Sequence, residues 1–329
     1  MGWVSGANLT AATSAAGGFG ILAAVTMTRE QLGAAVAGVK ERTDAPFGVN
    51  FRADQPDLAE RVAFVVAEGV HLVSFAGAPT ADSVARCHDA GVLVMPTVGA
   101  RRHAEKVLEM GVDAVIAQGG EGGGHTGTVP TSLLLPQVVD AVGADIPVLG
   151  AGGFFDGRGL VAALAYGADG IAMGTRFLLT EESHVPAGVK DRYTDATVFD
   201  TVVTTALDGA PQRVIRTEVV DRLERSPRLL RLPRAAMAAL RFRKATGTSL
   251  RDLLREGRAM RRHQDLTLSQ LAMAANAPML IKATMVDGKP EVGILPTGQV
   301  TGVIDELPTV AQLLDRIEVD ATRTLESLA

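Results

Sequence analysis

Short apolar, β-branched runs recur along the first half of the chain, their starts 21 to 33 residues apart: Phe19–Ala24, Pro46–Phe51, His71–Ala76, Leu93–Val98, Ala114–Gln118, Pro147–Ala151 and Gly170–Gly174. Each is short and continuously apolar, the pattern of a strand buried on both faces. The stretches between them have helical periodicity. In Met27–Glu41, Leu32, Val36 and Val39 share one face, Glu30 and Lys40 lie off it, and Thr26 or Thr28 is placed to cap its start. Helices are predicted to stop at Gly69, Gly91, Gly111 and Gly167, each just ahead of a strand. Glycine accepts the left-handed conformation that closes a helix.

Strand–helix alternation of this kind predicts an α/β fold with a parallel sheet covered by helices. Seven units in series favour a (β/α)8 TIM barrel over a doubly wound sheet. No early Gly-x-Gly-x-x-Gly with a following acidic residue supports a dinucleotide fold. Met1–Ala7 reads as the loop after a strand and Asn8–Ala16 as the first helix, so the first of eight strands is expected to be missing from the sequence. After Phe177 the pattern changes. Pro233–Thr246, Ser249–Arg262 and Ser269–Met279 read as helices. The predicted organisation is a barrel over 1–179, an inserted, mostly helical second domain over 180–296, and a return segment over 297–329. That last segment holds Gly298–Gly302 and a final amphipathic helix, Thr309–Leu328.

Composition narrows the function. The single cysteine, Cys87, excludes an internal disulfide and a multi-cysteine metal site, fits a cytoplasmic protein, and reads as core packing. No metal site is expected. No apolar run is long enough to span a bilayer, and the N-terminus lacks a secretory pattern. The net charge is −5, yet Arg213–Arg262 holds 15 Lys/Arg against 5 Asp/Glu, so the remainder carries −15. An acidic chain with 4% aromatics and no nucleic-acid module argues against nucleic acid. The Arg-rich stretch reads either as solvated helix faces or as a platform for a polyanionic handle such as coenzyme A, with Arg241, Arg243 and Arg258 as candidate substrate-binding residues.

The strongest local signal is Gln118–Gly127, with six glycines in ten residues directly after a strand. Such a loop lets backbone approach a flat ligand and leaves Glu121 and His125 as its charged residue and its imidazole, pointing into the site. His125 stands beyond a strand's C-terminal end, where barrel enzymes keep their chemistry, and imidazole exchanges protons near neutrality. It is the catalytic candidate. Gly123 and Gly124 of this loop are candidate cofactor contacts. Gly150–Phe154 and Ala172–Phe177 follow the last two runs, where barrels commonly hold phosphate, and place the amides of Gly152, Gly153, Gly174 and Thr175. Gly17–Gly20 and Asn50 complete the rim, Asn50 with an amide suited to a ring edge. His71, His88 and His103 read as surface or core residues.

Gly17–Gly20, Pro46–Phe51, Gln118–Gly127, Gly150–Gly153 and Met173–Phe177 together resemble the nitronate monooxygenase (2-nitropropane dioxygenase) family of FMN-dependent barrels. The resemblance implies FMN, with its phosphate held by Gly152, Gly153, Gly174 and Thr175, ring contacts from Asn50 and Gln118, Gly20 among the cofactor contacts, and His125 near the reactive face. Gly119–Gly127, Gly152–Gly159 and Asn276–Leu280 extend it to a subgroup, the flavin-dependent CoA-thioester reductases of bacterial steroid C/D-ring catabolism. That implies hydride transfer between flavin and a CoA-linked substrate, with NAD(P)H a candidate reductant. A small-molecule, CoA-linked substrate and a homodimeric assembly are the partners envisaged. Oxidation of small alkyl nitronates by O₂ is the rival reading, and a flavin- or CoA-binding protein without catalysis is the third, should the first strand be absent.

Overall fold

A computed structural model describes residues 2–225 and 277–329 of the chain. Seven strands, β1 (Gly20–Ala23), β2 (Phe47–Arg52), β3 (Leu72–Ala76), β4 (Leu93–Val98), β5 (Val115–Gln118), β7 (Val148–Ala151) and β8 (Gly170–Ala172), form one parallel sheet in that order. Six of them lie within the predicted runs, and β2 passes the end of its run by one residue, Arg52. A helix precedes or follows each strand, so the fold is the α/β barrel type that the alternation predicted. β6 (Gly124–His125), β9 (Thr201–Thr204) and β10 (Gln212–Ile215) form a separate antiparallel sheet in the order β6-β10-β9.

The helix ends follow the residue chemistry. Thr28 caps Arg29–Lys40 in a reciprocal capping box with Gln31. Gly69 and Gly111 take φ of 69° and 80° where two helices turn into strands, a conformation glycine adopts without a Cβ clash. In the sheet, alternate residues divide between two cores. Val73, Phe75, Val94 and Val115 face the helices, while Leu72, Met95, Ile116 and Ala151 face the barrel interior. Cys87 is fully buried in the helix-side core, and burial pushes its thiol up to about 11, so it packs rather than reacts.

The final helix, Val310–Leu328, is capped by Thr309 and buries Val310, Leu313, Ile317 and Ala321. It lies so close to helix Gly157–Ala165 that a Cβ on Gly157 would fall 2.3 Å from the Ala321 amide nitrogen. It also touches helix Ala7–Ala15, so it spans the two helices that precede the edge strands β1 and β8. A third core joins all three predicted segments: Val4 and Leu9, then Val185, Val189, Tyr193 and Leu295, then Ile304 and Val310. Within 180–296 the sequence pattern had suggested helices, and helices Ala187–Thr194, Glu218–Glu224 and Ala277–Met285 are present. The β9–β10 hairpin adds two strands to that mostly helical stretch. Its strands are four residues each, too short for periodicity to reveal. The predicted helices Pro233–Thr246 and Ser249–Arg262 lie outside the described residues, as does most of Ser269–Met279. No helix among the described residues is long and apolar enough to cross a membrane.

Tyr193 is fully buried, and its hydroxyl donates to the Pro296 carbonyl at 2.8 Å. Tyr193→Phe strands that acceptor in an apolar core, and thermal or urea unfolding should show a loss of about 1–2 kcal/mol.

Candidate active site

The barrel interior holds a cavity of about 1290 Å³ that reaches from the strand starts at Gly20, Leu72 and Leu93 to the C-terminal ends of the strands. Its walls are apolar, with Leu72, Met95, Ile116, Ile171 and Met173 among them, and Asn50, Gln118, His125 and Asp208 bring polar atoms to its lining. Of the residues predicted from sequence, Gly20, Asn50, Gln118, His125 and Gly174 line this one space. Asn50 Nδ2 donates to Ser74 Oγ at 3.1 Å, across the β2–β3 register that sets the two residues side by side. Gln118 Nε2 donates to the His125 carbonyl at 2.8 Å, which ties the end of β5 to the Gly-rich loop.

Gly123, Gly124, Gly152, Gly153 and Thr175 stand outside the cavity lining, and most of them meet at its side. Gly152 and Gly153 have φ of 95° and 86°. A Cβ on Gly152 would lie 3.0 Å from the Gly122 nitrogen and 3.1 Å from the Gly119 carbonyl. A Cβ on Gly123 would lie 2.4 Å from the Thr297 carbonyl carbon. Gly298 donates its amide to Thr175 Oγ1 at 2.8 Å, leaving the Thr175 hydroxyl hydrogen available. Four chain segments, 119–123, 152–153, 174–175 and 297–298, therefore converge, all through backbone except for the Thr175 hydroxyl. Such a cradle, which any side chain would fill, suits a phosphate presented to backbone amides. The residues present fit a flavin: apolar walls for the ring, amides at its edge, and a glycine cradle for a phosphate.

Two expectations change. Glu121 does not point into the site. Its Oε2 accepts from the Thr131 amide at 2.9 Å and stands 2.7 Å from the Thr131 hydroxyl, at the start of helix Thr131–Val142. A carboxylate there meets free amides and the positive end of the helix dipole. Gly20 lines the cavity but begins β1, at the end of the barrel opposite the C-terminal rim, and its missing side chain has a packing cause, since a Cβ would fall 2.1 Å from the Thr10 carbonyl. Arg241, Arg243 and Arg258 lie outside the described residues.

Sequence reasoning missed the partners of His125. β6 pairs with β10, so Gln212 sits opposite His125, and Asp208 Oδ2 lies 2.7 Å from His125 Nε2. Asp208 also accepts from the Ala210 amide and from Gln212 Nε2. Burial alone would raise its carboxyl. The hydrogen bond and charge of His125, then Gln212 and the Ala210 amide, outweigh that and leave it below 3.8. Arg213 NH2 donates to the Gly120 carbonyl at 2.9 Å, so the hairpin grips the Gly-rich loop at both ends. The one sequence signal for this hairpin was Asp208-Gly209 between apolar runs.

An open-ended α/β barrel with a glycine cradle and a histidine on the C-terminal rim has the form of a cofactor-dependent oxidoreductase. The model of the nitronate monooxygenase family matches residues 1–64 and 58–320, and the chain belongs to that family of flavin oxidoreductases. Among curated proteins, the (3aS,4S,5R,7aS)-5-hydroxy-7a-methyl-1-oxo-octahydro-1H-indene-4-carboxyl-CoA dehydrogenase of Mycobacterium tuberculosis is 54% identical over 328 residues, covering 99% of this chain and 92% of that protein. The protein of the same name in Rhodococcus jostii is 51% identical, covering 100% and 92%. A probable nitronate monooxygenase of Staphylococcus saprophyticus is 31% identical, over 65% of this chain and 73% of that one. Among solved structures, Thermotoga maritima FabK superimposes with a TM-score of 0.79 at 33% identity, covering 100% of this chain and 92% of that one. A nitroalkane oxidase from Streptomyces ansochromogenes gives 0.78 at 28%, covering 100% and 95%.

The depressed Asp208 carboxyl carries a pH signature. A group whose folded value is lowered adds stability that is present above its unfolded value and lost as pH falls through the folded one. The stability difference between wild type and Asp208→Asn, read from urea midpoints, should shrink as the pH is lowered through 3.8 and below it.

Proposed function

We propose that this chain is an FMN-dependent dehydrogenase that oxidises a ring hydroxyl of a CoA thioester of a bicyclic acid, of the kind that arises in steroid C/D-ring breakdown. The observation that carries this reading is 54% identity, over nearly the whole chain, to a relative whose name states such a substrate. In that name the hydroxyl is on carbon 5 and the thioester carbonyl on carbon 4, so the substrate it states is a β-hydroxyacyl thioester.

A bound flavin supplies a two-electron acceptor for the hydrogen on the carbinol carbon. The chain's own residues do the rest. Asn50 and Gln118 orient the ring edge. Gly152, Gly153, Gly174 and Thr175 hold one terminal phosphate, which favours FMN, with Gly123 and Gly124 shaping the same cradle. His125 takes the hydroxyl proton. Arg241, Arg243 and Arg258, outside the described residues, are the candidates to bind the CoA phosphates. NAD(P)H enters only if the reaction runs in the reductive direction.

The test is an anaerobic absorption spectrum of the purified protein. Bleaching of the flavin by a cyclic β-hydroxyacyl-CoA supports the dehydrogenase, and bleaching by NADH or NADPH alone supports a reductase. The family match favours a second reading, oxidation of alkyl nitronates. Neutralising Arg241, Arg243 and Arg258 together separates the two. KM for the CoA thioester should rise at least about tenfold if the forks hold phosphate, whereas nitronate turnover should not change.

His125→Ala should keep its flavin and lose about 10²–10⁴-fold in turnover, the usual cost of a lost acid/base. Gly152→Val should instead lose flavin, read as the ratio of flavin to protein absorbance.

A further inference from the structure

The pairing of His125 with Asp208 has more definition than a proton-transfer residue alone requires. Asp208 is mostly buried, with 15% of its side chain exposed, whereas the His125 side chain is 65% exposed. The carboxylate sits in the turn of the β9–β10 hairpin. That turn is pinned to the Gly-rich loop by the Thr126 amide donating to the Pro211 carbonyl at 3.1 Å, and by the Gln212–His125 register. Backbone therefore fixes both partners.

We propose that Asp208 is the positioning residue of His125, holding Nε2 as the proton-bearing nitrogen and leaving Nδ1 to exchange the proton with the substrate. The proposal rests on the reading that His125 takes a substrate proton. An ionised carboxylate has only lone pairs to offer, so at 2.7 Å the imidazole must present N–H to it. Gln212 Nε2 lies 3.2 Å from the same ring nitrogen. Were Nε2 to accept from Gln212, two acceptors would face each other across the shorter contact, so the Asp208 bond decides the tautomer. In the neutral ring Nδ1 is then the acceptor, and it has no protein partner among the described residues.

The nearby charges are otherwise engaged. Arg213 is turned to the Gly120 carbonyl and Thr201, and Glu121 to Thr131. When the substrate O–H bond breaks and an N–H bond forms at Nδ1, the ring's positive charge lies against the Asp208 carboxylate. Return of the proton reverses both changes.

The test is ¹⁵N NMR of the histidine-labelled, flavin-loaded protein in mildly alkaline solution, for wild type and Asp208→Asn, with steady-state kinetics of both. Wild type should show the His125 ring protonated at Nε2, and the variant a mixture of tautomers. Turnover of the variant should fall about 10–10³-fold with KM within about threefold, the pattern of a misoriented base with binding intact. Asp208→Glu, which retains an ionised acceptor, should recover at least about tenfold of that loss. A wild-type ring protonated at Nδ1 overturns the proposal, and so does equal damage from both substitutions or unchanged kcat in Asp208→Asn. The NMR readout needs no substrate. If the CoA-thioester reading fails, no variant turns that substrate over, yet the tautomer still decides the role of Asp208.

Discussion

The site depends on one steric constraint, the approach of four backbone segments to distances that exclude even a methyl group. At Gly123 a Cβ would sit 2.4 Å from the Thr297 carbonyl carbon, and at Gly119 it would sit 2.0 Å from Thr131 Oγ1. No repacking of side chains relieves contacts of that kind, because the obstacle is main chain or the first atoms of a branched side chain. The Gly-rich loop is therefore wedged between the Thr131 helix start, the 152–153 turn and the 297–298 segment. Its glycines purchase closeness rather than mobility. Glu121, the one charged residue among them, serves the same end by capping the helix on which the loop rests.

This wedge also explains why residues remote in sequence make the site. β5 carries the loop out of the barrel, but the loop ends as β6, an edge of the small antiparallel sheet whose other strands begin at Thr201 and Gln212. The cavity walls, with Asn50 and Gln118, are set by the parallel strands, and the pairing of His125 with Asp208 is set by the hairpin. The two are joined by Arg213, which reaches Gly120 from β10, and by Gln118, which reaches the His125 carbonyl from β5. A shift of one residue in the β6–β10 register would turn Gln212 and Asp208 away from the imidazole together.

The barrel was legible because its signals are local. Seven apolar runs whose starts lie 21 to 33 residues apart, with helices between them and four of those helices ended by glycine, leave little freedom in a parallel sheet. The glycine cradle was legible as composition, since six glycines in ten residues have few structural uses. Gly20 shows the limit of that reasoning, because a glycine that admits a helix and one that admits a ligand look alike in sequence. Glu121 shows another, as a carboxylate in a loop gives no sign of the helix start it will meet in space. Asp208 and Gln212 were missed because their strands are four residues long and their partner lies more than eighty residues away. Only the Asp208-Gly209 pair marked the turn.

Magnitudes bear on why the Asp208–His125 pair exists. An ion pair with one partner mostly in solvent contributes about 0–1 kcal/mol, while burying a carboxylate carries a desolvation cost of comparable or larger size. The pair is therefore a poor device for stability, and a hydrophobic residue in the hairpin turn would serve the fold as well. What the carboxylate adds is direction: it fixes one ring nitrogen of an exposed side chain that apolar packing cannot hold. His125 lies two residues beyond Gly123, so the same backbone wedge that shapes the cradle also sets where the imidazole begins. Asp208, reaching from the hairpin, sets how it is turned.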